Sequence, residues 1–138
     1  MIVVAVVDDN MGMMFNKRRQ SKDRALRERI LALAGKGKLW MNEYTYQQFS
    51  DCDTGGFQVD PDFLDKAGGG EFCFVENDSV VPCAKDIEKI ILYRWNRKYP
   101  ADFRFDINLE DSEWKLAETR EFTGSSHEKI TEEVYVRG

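Results

Sequence analysis

One carboxylate and a cluster of cations are the side chains best placed for chemistry in this 138-residue sequence. Asp23 stands at the start of an amphipathic pattern, where it could bind a ligand or donate a proton, or could cap a helix and pair with Arg27. Around it, residues 17–38 carry nine basic and two acidic side chains, a local charge of +7, whereas the remainder carries −12. This basic strip favours an anionic ligand or an acidic partner surface, and is also typical of a solvated helix.

The histidine and cysteine content excludes several other chemistries. His127 is the sole histidine, so the sequence cannot assemble a multi-histidine zinc site. It stands in a turn-like stretch where we expect a solvated surface position, and a serine or cysteine nucleophile has no identifiable base partner. Three cysteines without CxxC spacing predict neither a disulfide framework nor a metal site: Cys52, Cys73 and Cys83.

Two further clusters have an ordinary interpretation beside the functional one. Trp95 lies among Arg94, Arg97 and Lys98, a combination compatible with base stacking and phosphate contact on RNA but also common at strand ends. Acidic residues that are adjacent in sequence, such as Glu132 and Glu133, point to opposite faces of a strand. They therefore do not form a two-carboxylate site.

Composition bounds the class of protein. The length is typical of one domain over residues 1–138, and 42% hydrophobic residues with 12% aromatic ones argue against disorder. The apolar run 2–7 is too short to span a bilayer and lacks the basic region of a signal peptide. We therefore expect a cytoplasmic protein without membrane contact, either a monomer or a homodimer.

Hydrophobic periodicity predicts an α/β fold. The continuous run IVVAVV is typical of a strand buried on both faces. Ser21 is the predicted N-cap of a helix whose apolar face carries Leu26, Ile30 and Leu33, and Gly35 is its predicted end. The sheet is expected to be mostly parallel with antiparallel C-terminal strands and helices on both faces. The other predicted segments are strands at 38–41, 72–75, 90–93, 103–107, 114–122 and 129–136, a short helix at 44–49 and a loop or short excursion at 51–70.

Three segments in this order resemble the dihydrofolate reductase superfamily. They are the opening strand with the loop that follows it, the helix after Asp23 with the next strand-to-helix turn, and the closing strands with Trp114 at the start of the penultimate one. The resemblance implies a three-layer fold of that family. It also implies a pocket carboxylate at Asp23, with the raised pKa that suits a proton donor to a pterin.

The resemblance further implies a set of binding positions. Those near the pterin or on the loop that closes over it are Val4, Met11, Arg18, Arg19, Arg27 and Tyr93. Those near a cofactor phosphate, at a helix N-terminus, are Tyr44 and Thr45.

The sequence departs from the family where the nicotinamide cofactor binds. The family's paired glycines should follow the strand 72–75, but Glu76, Asn77 and Asp78 stand there, and their side chains and charges would oppose a dinucleotide. At the strand-to-helix turn Asn42 replaces a glycine, and a shortened connection at 51–70 takes the place of the adenosine-binding subdomain.

We therefore expect a binding protein for an anionic small molecule or nucleotide, with no cofactor and no metal. One alternative is a divergent NADPH-dependent dihydrofolate or pterin reductase that uses Asp23 as its acid. A weaker alternative is an RNA-associated factor, which requires steeply salt-dependent binding.

Overall fold

The computed structural model describes residues 1–35, 37–49, 56–111 and 113–138. The strands are β1 (Ile2–Val7), β2 (Gly12–Phe15), β3 (Arg18–Arg19), β4 (Leu39–Met41), β5 (Phe57–Val59), β6 (Phe72–Phe74), β7 (Lys89–Arg94), β8 (Phe103–Arg104), β9 (Trp114–Phe122) and β10 (Ile130–Arg137). The helices are α1 (Arg24–Ala34), α2 (Glu43–Tyr46) and α3 (Phe63–Lys66), with 3₁₀ turns at Gln47–Phe49 and Val81–Asp86.

A seven-stranded sheet organises the fold, in the order β5-β4-β6-β1-β7-β10-β9. Strand β1 lies near its centre and pairs in parallel with β6 and β7, whereas β10 pairs antiparallel with both β7 and β9. The mostly parallel sheet with antiparallel C-terminal strands is therefore confirmed. As the apolar run predicts, β1 is buried on both faces: Val3 packs into one core and Val4 into the other.

Helix α1 covers one face of the sheet. It buries Leu26 and Ile30 against that face and ends at Gly35, whose φ of +56° suits a residue without a Cβ. The predicted N-cap, Ser21, is wrong by two residues. Asp23 has the extended backbone of an N-cap, and its Oδ1 accepts the N–H of Leu26 at 3.1 Å.

The opposite face is covered by α3, the 3₁₀ turn Val81–Asp86 and a small sheet in the order β3-β2-β8. Helices on both faces are therefore confirmed. The segment 51–70, predicted as a loop or a short excursion, contains regular structure in its described part: β5 pairs in parallel with β4, and α3 follows it. The predicted strand 103–107 is only two residues long, and it pairs with β2.

The cysteines carry no bridge in the described part of the chain. Cys73 and Cys83 are both free and buried, and burial raises the pKa of the Cys73 thiol to about 12, which leaves it unreactive near neutral pH. Cys52 lies outside the described residues. Within those residues no cluster of three or more potential metal ligands occurs, and no helix has the length and apolar character needed to cross a bilayer.

Candidate functional site

A narrow cleft lies beside the first turn of α1, at the carboxyl ends of β1 and β6. Its walls include Val6, Phe74, Leu26 and Trp95, and its polar lining comes mainly from residues 19–23 with three further side chains: Arg27, Gln48 and Glu76. The carboxyl ends of parallel strands are where open α/β sheets bind ligands. The cleft is therefore the candidate site.

Glu76 dominates the β6 end of the cleft. Its carboxylate accepts two hydrogen bonds from Arg19, Nε to Oε2 at 2.8 Å and Nη2 to Oε1 at 3.0 Å, and a third from Gln48 Nε2 at 3.1 Å. Arg19 also lies over the ring of Tyr44, 4.5 Å from its centroid. The Arg19 and Glu76 side chains are only 15% and 10% exposed, so this end of the cleft holds a closed, mutually neutralised ion pair.

The N-terminus of α2 is capped by its own chain. Asn42 Oδ1 accepts the N–H of Thr45 at 2.9 Å, and Asn42 Nδ2 donates to Asn77 Oδ1 at 2.7 Å and to Asp78 Oδ2 at 2.9 Å. Thr45 is fully buried, and its Oγ1 has no hydrogen-bond partner among the described residues. The two residues predicted to lie near a phosphate therefore make contacts within the protein: Tyr44 contacts Arg19, and Thr45 lies beneath the Asn42 cap.

Asp23, at the α1 end, is the most completely hydrogen-bonded carboxylate of the cleft. Besides Leu26, its Oδ1 accepts the N–H of Ser125 at 2.9 Å, and its Oδ2 accepts the N–H of Ser126 at 2.9 Å and the Nδ1 proton of His127 at 3.1 Å. Burial alone would raise the pKa of Asp23, but these hydrogen bonds outweigh it and lower the pKa well below its usual value. The expected raised pKa is wrong.

Asp23 and Arg27, both among the described residues, do not form the expected ion pair. Arg27 Nη1 instead donates to the carbonyl of Gln48 at 2.6 Å, which joins α1 to the 3₁₀ turn after α2. The capping alternative for Asp23 is confirmed, because the carboxylate holds the first turn of α1.

His127 is buried, so the expected surface position is wrong. It is 5% exposed, and its ring stacks on Trp95 with centroids 4.3 Å apart and an interplanar angle of 24°. Its Nε2 lies 3.2 Å from Ser21 Oγ and 3.0 Å from Tyr99 Oη. Because Trp95 is buried in this stack, it is not free to stack on a base as the RNA alternative requires.

The turn before His127 explains how the histidine reaches Asp23. At Gly124 a Cβ would lie 2.4 Å from Asp23 Oδ2 and 2.9 Å from the His127 carbonyl, so only glycine fits. The segment Gly-Ser-Ser-His thus wraps the carboxylate with two main-chain N–H groups and an imidazole. In the sequence, the glycine and serines of this segment were the signal that could have indicated this role. The same residue types are typical of an ordinary turn between two strands, so they did not distinguish the two cases.

Several predicted binding residues lie outside the cleft. Val4 is fully buried in the core, and Tyr93 is fully buried with its hydroxyl donating to Glu132 Oε1 at 2.7 Å. Met11 lines a separate cavity on the opposite side, where its sulfur accepts a hydrogen bond from Arg94, and Arg18 is exposed. The cleft therefore brings together only part of the predicted set: Arg19, Asp23 and Arg27.

The basic strip is partly neutralised within the fold. Arg29 pairs with the buried Glu132 through bonds of 2.8 and 3.0 Å, as Arg19 does with Glu76. Lys22 and Arg27 are the cations of the strip that line the cleft without such a carboxylate partner among the described residues.

Comparison with known proteins identifies the fold. No family model matches the sequence, and no curated protein matches it. Among solved structures, the chain is similar to dihydrofolate reductase from Enterococcus faecalis complexed with NADP(H) and RAB-propyl, with a TM-score of 0.72 and 12% sequence identity. The match covers 99% of this chain and 95% of that one. The chain therefore has a dihydrofolate-reductase-like fold, as the sequence resemblance predicted.

Proposed function

We propose that this protein binds an anionic small molecule or nucleotide in the cleft beside α1, and that it does not reduce substrates with NADPH. The observation that carries the proposal is the paired Glu76 carboxylate at the tip of β6. A nicotinamide dinucleotide needs close access to bare backbone at a strand end, and it brings a pyrophosphate that carboxylates repel.

The residues at this end of the sheet do not fit such a cofactor. Glu76 is held by Arg19 and Gln48, and Asp78 is held by Asn42, so neither carboxylate can turn aside without breaking partly buried hydrogen bonds. Asn42 also occupies the N-terminus of α2. These contacts support a protein without a nicotinamide cofactor. We further propose a single 1–138 domain in which a shortened connection at 51–70 replaces the adenosine-binding subdomain.

The cations Lys22 and Arg27 support the choice of an anionic ligand. Both line the cleft, and Arg27 keeps most of its five guanidinium donors available after its bond to the Gln48 carbonyl. A phosphate or carboxylate that enters beside the first turn of α1 would contact them. We expect the protein to act in the cytoplasm, as a monomer or a homodimer.

A thermal shift panel of nucleotides, folates, phosphate compounds and short RNA tests the proposal. A ligand at about 100 times its dissociation constant should add about 2.7 kcal/mol to the free energy of unfolding. The Lys22→Ala, Arg27→Gln double variant should lose this stabilisation, whereas Lys85→Ala, which removes an exposed cation on the opposite face, should keep it. No stabilisation by any member of the panel would refute the proposal.

A second candidate is an NADPH-dependent reductase of a divergent type, favoured by the fold likeness to a protein solved with NADP(H). It requires Glu76 to leave its partners and another group to supply the proton, because the Asp23 carboxylate is saturated with donors. Oxidation of NADPH in the presence of dihydrofolate, followed at 340 nm, would establish it. Rates equal to those in buffer would dismiss it.

A further inference from the structure

Three side chains at the α1 end of the cleft form a connected series of hydrogen bonds. Asp23 Oδ2 lies 3.1 Å from His127 Nδ1, and His127 Nε2 lies 3.2 Å from Ser21 Oγ. Asp23 and His127 are 3% and 5% exposed, whereas Ser21 lines the cleft. The fold thus places beside Ser21 the imidazole base that the sequence alone did not identify. A buried carboxylate, an imidazole and a hydroxyl that faces a cleft are arranged in the order that activates a serine nucleophile.

The hydrogen-bond donors fix the direction of proton transfer. An ionised Asp23 can only accept, so the Nδ1 of His127 carries the ring proton, and in the neutral imidazole Nε2 is then an acceptor. The Ser125 and Ser126 N–H groups hold the carboxylate in its charged form and in a fixed orientation. Stacking on Trp95 holds the ring plane. His127 is therefore oriented to take a proton from Ser21.

We infer that Ser21 is a nucleophile, that His127 is its general base, and that Asp23 positions His127. The class of substrate is an ester of a small carboxylic acid. Preference for an acid that carries a second negative charge rests on the proposed function, because it depends on Lys22 and Arg27, which line the same cleft.

The reaction balances without a cofactor. Ser21 Oγ attacks the acyl carbon while its proton passes to His127 Nε2, and the tetrahedral intermediate collapses as the imidazolium returns that proton to the leaving alcohol. Water then attacks the acyl-enzyme, gives one proton to His127 and releases the carboxylic acid with Ser21 restored.

Tyr99 competes with Ser21 for the same ring nitrogen, since its hydroxyl lies 3.0 Å from Nε2. A single lone pair at Nε2 cannot serve two hydroxyl donors fully, so a purely structural network would leave Ser21 no more reactive than any surface serine. Reactivity of Ser21 is therefore the property that separates a nucleophile from a structural contact.

A fluorophosphonate probe measures this property on the full-length protein. Ser21 Oγ displaces fluoride from phosphorus, so the intact mass should increase by one phosphonyl group, and peptide mapping should place that group on Ser21. We expect no labelling of Ser21→Ala, a rate lower by about 100-fold or more in His127→Gln, and unchanged labelling of Ser79→Ala, a serine that bonds Asp106 away from the cleft. A wild-type protein that stays unlabelled, or is labelled elsewhere, would overturn the inference even if a variant failed to fold.

The substrate class has its own measurement. Wild-type protein should hydrolyse mono-p-nitrophenyl succinate with a higher kcat/KM than p-nitrophenyl acetate, and Lys22→Ala, Arg27→Gln should reduce this preference without abolishing phosphonylation. Labelling of Ser21 without any charge preference would leave the nucleophile standing and refute the anion-binding proposal. Binding of anions without labelling of Ser21 would support the anion-binding proposal and refute the nucleophile.

Discussion

The two ends of the cleft satisfy a carboxylate in different ways. At the β6 end, Glu76 is bound by the donors of Arg19 and Gln48, and the charge of Arg19 cancels its own. At the α1 end, Asp23 is bound by main-chain N–H groups and by His127, whose second nitrogen faces two hydroxyl groups. The contacts of Glu76 form a closed ion pair that stabilises the wall of the cleft. The contacts of Asp23 instead orient an imidazole that can transfer a proton.

One short segment, which contains Arg19 and Asp23, contributes to both ends of the cleft through long-range contacts. Arg19 and Asp23 are four residues apart, yet the partner of Arg19 lies 57 residues away and His127 lies 104 residues from Asp23. The segment that enters α1 is therefore held by β6 on one side and by the turn before β10 on the other. Removing either carboxylate should release one side of this segment.

The largest expected effect follows removal of Asp23. Asp23→Ala loses the N-cap of α1 and leaves the N–H groups of Ser125 and Ser126 and the ring of His127 without their acceptor, so we expect the free energy of unfolding to fall by about 4 kcal/mol. Urea denaturation measures this change. Asp62→Ala is the matched control, because Asp62 precedes α3 without a side-chain capping bond. A loss at Asp23 no greater than that at Asp62 would contradict the proposed network.

Removal of Glu76 should cost somewhat less. Glu76→Ala leaves Arg19, whose side chain is only 15% exposed, without its carboxylate partner, and we expect a loss of about 3 kcal/mol in the same urea experiment. The control is Glu121→Ala, since Glu121 and Lys129 form a solvent-exposed ion pair that contributes little. Equal effects of the two substitutions would mean that the β6 end is not closed by this pair.

A smaller effect should appear in the pH dependence of stability, through Asp23 at the α1 end of the cleft. The pKa of Asp23 is lowered in the folded protein, so its contribution to stability is complete above the unfolded value near pH 4 and is lost as the pH falls below it. Wild-type stability should therefore decrease with acidification below about pH 4. Asp23→Asn should show a shallower decrease than the wild type, because the substituted side chain no longer titrates. Identical pH profiles would contradict this assignment.

Local patterns predicted the elements better than the site. The run that forms β1 and the spacing of Leu26 and Ile30 on α1 are properties of adjacent residues, and both predictions are confirmed. The departure at Glu76 was also visible, because a family pattern indicated which residues should be glycine. The burial of His127 was not, since it arises from contacts with Asp23 and Trp95 that only the folded chain brings together.

Short elements were missed for a related reason. The three residues of β5 carry no pattern of their own and form a strand because β4 offers an unpaired edge. Tyr93 was expected near a ligand because of its position in a family pattern. Its ring instead lies within the core, and Glu132 from the neighbouring strand β10 supplies the partner for its hydroxyl.

Calorimetric titration of the wild-type protein with NADPH tests most directly whether the β6 end is closed to a dinucleotide. We expect no saturable heat of binding, while an anion that stabilises the protein in the thermal panel gives a one-to-one isotherm. Saturable one-to-one binding of NADPH to the wild-type protein, accompanied by its oxidation with dihydrofolate at 340 nm, would contradict the assignment of Glu76 as the residue that excludes the cofactor.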